Sequence, residues 1–181
     1  MPIGAIKKMK YKQHKQYRLP YYNYASTNLY FITICTYNRE AYFGNILNGE
    51  MILSEEGMCV EDSWKIISTV AEYAEIDAFV IMPNHIHGII VINNPEEPRA
   101  LEKKEFVVKN RSLSNVVRNF KTAVTTKIRK LHNDSLYVVW QPRFYDRIIR
   151  NERELNVIRN YIANNPMKWE EEKNNPDNLM M

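Results

Sequence analysis

Cysteine is scarce in this chain of 181 residues, with only Cys35 and Cys59 present. Two thiols are too few for a disulfide scaffold or a Cys-based zinc site, and a reducing cytoplasm is the expected location. Long apolar runs are missing too. A membrane-spanning helix needs roughly 20 apolar residues, and the longest run, Ile86 to Ile92, is strand-sized, so no membrane association is expected. The N-terminus is rich in Lys and lacks the apolar core of an export signal. No internal repeat and no second-domain linker is visible. The hydrophobic fraction of 45% and the charged fraction of 25% are those of an ordinary globular chain. They exclude wholesale disorder, and the length fits one domain.

The net charge of +4 is unevenly distributed. Residues 1–20 carry six basic side chains and no acidic one. Residues 21–105 carry five basic against thirteen acidic, and residues 106–168 thirteen basic against four acidic. The end of the chain, 169–181, is acidic. Two basic blocks flank an acidic one and offer a polyanion two contact regions. The expected layout is a basic arm over 1–20, one catalytic domain over 21–169 and an acidic tail over 170–181.

Residues 29–36 are β-branched and aromatic and read as a strand. Asn48-Gly49 is a turn signal. Ser54 caps a helix that carries Val60, Trp64, Ile67 and Ala71 at helical spacing. Ile76 to Met82 and His85 to Ile92 form a hairpin about Pro83-Asn84. The polar stretch 93–104 reads as a surface loop. Ser112 starts a helix to about Leu131, and a fourth strand lies within 137–150. A last helix runs from Glu152 to about Ala163 and stops before Asn164-Asn165-Pro166, because proline disfavours helix in the residue ahead of it. The resulting β-α-β-β-α-β-α order predicts an α+β fold, a ferredoxin-like βαββαβ antiparallel sheet with an extra C-terminal helix.

Chemistry concentrates in His85-Ile86-His87. Alternate residues of a strand share a face, so both imidazoles project together and make half of a divalent-metal site. A HIT-type nucleotide hydrolase would want a further histidine two residues on, where this chain has Ile89. The last helix adds Tyr161, able to act as a nucleophile on a phosphate polarised by a metal. Asn165 follows one turn later, with a carbonyl oxygen for the same metal. Tyr145, in an aromatic and basic segment, is assigned to packing or nucleic-acid stacking. The helix after Ser112 holds Arg118, Lys121, Lys127, Arg129 and Lys130 on its polar face, and Arg143, Arg147 and Arg150 follow. These eight are the expected DNA contacts.

Met82-Pro-Asn-His-Ile-His-Gly-Ile-Ile90 resembles the signature of HUH single-strand transposases. The segment from Trp140 to Arg150, followed by Tyr161-Ile-Ala-Asn-Asn-Pro166, resembles the REP-associated tyrosine transposases, relatives of the insertion-sequence-200 type. The resemblance spans about residues 17–169. It implies that His85 and His87 are metal ligands for Mg²⁺ or Mn²⁺ and that Tyr161 is the catalytic tyrosine. Asn165 falls where better-known members place a Gln as third ligand. The implied activity is cleavage and rejoining of single-stranded or hairpin DNA through a 5′-phosphotyrosine. Monomer and homodimer are both open, since insertion-sequence relatives exchange tyrosines between subunits and some REP-associated members act alone. Two other readings stand beside this one. One is a non-catalytic nucleic-acid-binding module that stacks bases on Tyr30 and Phe31. The other is a metal phosphodiesterase that uses water.

Overall fold

The structure, a computed structural model, describes residues 23, 26–94 and 111–172. The expected basic arm, most of the 93–104 loop and the tail from 173 lie outside the described residues.

Strand β1 (Asn28–Cys35) leads through a short 3₁₀ turn to β2 (Gly44–Leu47) and β3 (Glu50–Leu53). Helices α1 (Glu55–Lys65) and α2 (Ile67–Val70) follow, then β4 (Ala74–Met82) and β5 (His85–Ile92). After the segment not described come α3 (Leu113–His132), β6 (Tyr145–Ile149) and α4 (Glu152–Glu172). Four strands make one antiparallel sheet in the order β4-β5-β1-β6. The architecture is α+β, a central antiparallel sheet with helices on both faces, and β5 lies inside the sheet. Among the described residues no helix is long and apolar enough to cross a membrane.

The sheet's two faces have separate cores. Tyr30, Ile32 and Ile34 of β1 and Ile86, Ile90 and Ile92 of β5 face α1 and α3, joining Val60, Trp64, Val116, Phe120 and Val124. Phe31 and Ile89 face the other way, against Leu155, Ile158 and Ile162 of α4. Gly88 on β5 is explained by the first core. A Cβ there would lie 2.3 Å from the Trp64 ring, so only glycine lets the indole reach the sheet. At the start of α1, Ser54 accepts from the Gly57 N–H, and a Cβ on Gly57 would strike the Phe43 carbonyl.

Three features differ from the sequence-based expectation. First, the Asn48-Gly49 turn closes a separate hairpin, β2–β3, that interrupts the simple β-α-β order. Both turn residues have positive φ, 54° and 77°, as a two-residue hairpin turn of right-handed twist requires. Second, the single helix expected after Ser54 breaks at Ile66 into α1 and α2, although Val60, Trp64, Ile67 and Ala71 are all buried. Third, α4 does not stop before Asn164 but continues through Pro166 to Glu172. Proline forfeits one helical hydrogen bond at a cost of about 3 kcal/mol. Beyond it, Trp169 packs against His85, while Met167 lies beside Gly49 and stays 69% exposed.

Candidate active site

In β5 the register pairs His87 with Thr33 of β1 and His85 with Cys35. Both imidazoles leave the sheet on the side of α4, and Ile86 between them enters the opposite core. His85 is 0% and His87 1% exposed. Their Nε2 atoms lie 3.1 Å apart. The outer nitrogens are held from behind: Nδ1 of His85 is 2.7 Å from Asn84 Oδ1, and Nδ1 of His87 is 2.8 Å from Thr33 Oγ1.

Helix α4 covers the pair with residues one turn apart. The Tyr161 hydroxyl lies 3.2 Å from His87 Nε2, and its ring meets the His87 ring edge-on. Trp169, two turns further on, sits against His85 with ring centroids 5.8 Å apart. Asn165 falls between Tyr161 and Trp169 on the same stripe and so faces the pair. It is 0% exposed, and neither its amide nitrogen nor its oxygen has a hydrogen-bond partner among the described residues. A buried amide left unsatisfied costs about 1–3 kcal/mol per polar group, which makes Asn165 a candidate to take a ligand.

Burial sets the electrostatics. It drives His85 well below its usual 6.5, with His87 and then Arg39 pushing the same way. Burial pulls His87 down to about 3, opposed by a backbone hydrogen bond at Ile32. Both rings are neutral at physiological pH, the form in which imidazole binds metals.

The donors fit a divalent cation. Two ligand nitrogens each about 2.1 Å from one ion and 3.1 Å apart subtend about 95°, close to the right angle of octahedral coordination. A tetrahedral pair would need about 3.4 Å. Among the described residues no three His, Cys, Asp or Glu side chains come together to hold a metal. A further side-chain ligand from the described residues would therefore be of another type, and the Asn165 carbonyl oxygen is a candidate.

Tyr145 pairs with Thr33 in the register, so it lies in the same cross-strand row as His87, two strands away. The Tyr161 hydroxyl is 3.2 Å from the imidazole. Asn84 was legible only as a turn residue and Thr33 only as part of a strand. Their roles against the rings come from register, which sequence does not display. Tyr30 and Phe31, expected as base-stacking surfaces in the binding-module reading, are 0% and 4% exposed, and Phe31 instead stacks on His87.

The eight basic residues expected to meet DNA do not form one surface. Arg147 belongs to the site's face, paired with Phe31 in register and salt-bridged to Glu154 of α4. Arg143 and Arg150, at either end of β6, are exposed. Those on α3 lie across the sheet from the histidines. Arg118, Lys121 and Arg129 line a cleft of about 540 Å³ between α3 and the 137–144 segment, along with Thr122, Thr125 and Trp140. Lys121 donates to the Gln141 carbonyl and Arg129 to the Tyr137 carbonyl, so both staple that segment to α3. Burial brings Lys121 down to about 8. Lys127 lies near Cys59 of α1, and Lys130 is exposed.

This sheet with a helix-borne tyrosine over paired histidines has the fold of a REP-associated tyrosine transposase solved bound to a REP hairpin. The TM-score is 0.58 at 22% identity, covering 83% of this chain and 74% of that one. No family model matches the sequence. The chain belongs to the same family as an uncharacterized protein of Haemophilus influenzae (strain ATCC 51907 / DSM 11121 / KW20 / Rd), 41% identical over 164 residues, which are 86% of this chain and 89% of that protein.

Proposed function

We propose that the protein is a metal-dependent transposase-type nuclease that cleaves and rejoins single-stranded or hairpin-associated DNA through Tyr161. The observation that carries this reading is the Tyr161 hydroxyl 3.2 Å from His87 Nε2, beside His85 and the unpartnered Asn165 amide. His85, His87 and Asn165 would hold Mg²⁺ or Mn²⁺. The bound cation would polarise a phosphodiester oxygen and offset charge in the transition state. Tyr161 Oη attacks phosphorus and the bond to the 3′ oxygen breaks, leaving a 3′-OH and a 5′-phosphotyrosine. A phenol of pKa ~10 is mostly protonated at neutral pH, so its proton leaves to solvent as the bond forms. The covalent link retains the bond energy, and a later 3′-OH attack rejoins strands without ATP. Arg147, on the site's face, and the exposed Arg143 would meet the backbone of the reacting strand, and the α3 cleft would offer a second contact across the sheet.

The test is incubation with a single-stranded hairpin oligonucleotide and Mn²⁺, followed by a denaturing gel and peptide mapping. Wild type should form an adduct at Tyr161. Tyr161→Phe should keep its fold and its DNA binding and form none. An adduct at Tyr145 would overturn the assignment. Metal-dependent cleavage without an adduct would favour the water-using phosphodiesterase, and binding without cleavage the non-catalytic module.

A further inference from the structure

We propose that Asn84 is a positioning residue that locks His85 in its Nδ1–H tautomer, leaving the Nε2 lone pair bare and aimed into the site. The inference rests on reading His85 as a metal ligand.

The argument begins in the loop after β1. Asn38 and Arg39 both have positive φ, 52° and 56°. Such conformations cost non-glycine residues about 1–2 kcal/mol each, and they persist only where the surroundings hold them. Asn84, in the turn between β4 and β5, supplies much of the hold. Its carbonyl accepts from the Thr36 N–H at 2.9 Å, and the Thr36 hydroxyl lies between it and the Glu40 carbonyl, 2.9 and 2.8 Å away. Its side-chain Nδ2 donates to the Arg39 carbonyl at 3.1 Å.

That last bond decides the chemistry of His85. A backbone carbonyl only accepts, so the amide nitrogen of Asn84 must face Arg39 and the amide oxygen must face His85. The oxygen also only accepts, so the proton on the imidazole must sit on Nδ1. A neutral imidazole carries one N–H, and its Nε2 is then the free lone pair. Thr33 by itself does not fix a tautomer at His87, because a hydroxyl can donate or accept.

Outer partners of metal-binding histidines fix tautomer and ring orientation, and their loss typically weakens metal binding 10–100-fold. The test uses the full chain labelled with ¹⁵N-histidine. A long-range ¹H–¹⁵N spectrum of the metal-free protein should show His85 protonated on Nδ1. Asn84→Ala should lose that single tautomer and bind Mn²⁺ 10–100-fold more weakly by titration, whereas Asn84→Asp, which keeps the acceptor, should hold the tautomer and stay within about threefold. A wild-type His85 protonated on Nε2 would overturn the proposal, and that measurement stands even if Asn84→Ala does not fold. So would an Asn84→Ala protein with unchanged tautomer and affinity. A wild type that binds no Mn²⁺ but shows Nδ1–H at His85 would overturn the metal reading of the site and leave the tautomer lock intact.

Discussion

On β5, Gly88 faces one side of the sheet and His87 the other, and the two sides follow different rules. Around Gly88 the surroundings are apolar: the Trp64 indole lies against the glycine, and Phe79 and Phe120 pack on the indole. Around His87 the surroundings are apolar at the edges, with Phe31, Ile89 and Ile158, but polar at the centre. Two neutral imidazoles, a phenol and an unpartnered amide share that centre. Of these, the Asn165 amide has no partner among the described residues, and burying it unpaired costs stability. The α1–α3 face holds the larger apolar core, and the α4 face holds a smaller one around the proposed site.

The comparison can be broken most forcefully at Trp64. Trp64→Ala should lower stability by about 3–5 kcal/mol, as for large buried aromatics, measured by urea denaturation. The loss should appear without any change in divalent-ion binding per folded molecule. An altered affinity in the folded fraction would show that the two faces are coupled.

Acid sharpens it next. Both imidazoles are held below 6.5 in the folded chain, so as pH falls from 6.5 toward 3 the unfolded chain takes up protons that the folded one does not. Stability therefore drops with falling pH, by up to about 1.4 kcal/mol per pH unit for each group. A His85→Gln, His87→Gln double variant should show a flatter dependence over that window. Equal slopes in the two proteins would mean that the rings are not held neutral by burial.

The smallest expected effect is a gain. Asn165→Leu removes two unpartnered polar atoms from a fully buried position. It should raise stability by about 1–2 kcal/mol and weaken Mn²⁺ binding. A destabilised variant would show that the amide has a partner in solution.

Much of this was legible in the sequence. The paired histidines on one strand face follow from the two-residue period of a strand, and the four sheet strands from β-branched and aromatic runs. The apolar stripe of α3 matches residue for residue: Leu113, Val116, Val117, Phe120, Val124 and Ile128 are all buried. What sequence misjudged has physical causes. Pro166 is a local stop signal, yet the helix continues past it and brings Trp169 against His85, a distant partner that no local pattern reports. The β2–β3 strands are four residues each, too short for a period to stand out, so only their turn was visible. Lys121 and Arg129 look like solvated charges along a helix. Their carbonyl partners come from a segment some 20 and 8 residues away, and no helical pattern reports it.

The tether of α4 has a consequence for how the work is divided among molecules. Arg159 of α4 donates to Asp77 of β4 at 2.8 Å, and two residues further on Tyr161 meets His87 of its own chain. Histidines and tyrosine are thus inherited together by each polypeptide. A mixture of His85→Ala, His87→Ala chains with Tyr161→Phe chains contains no complete set unless helices trade places. Two such alleles in one cell should therefore fail to complement, and recovery of activity in the mixture would measure how often α4 leaves home.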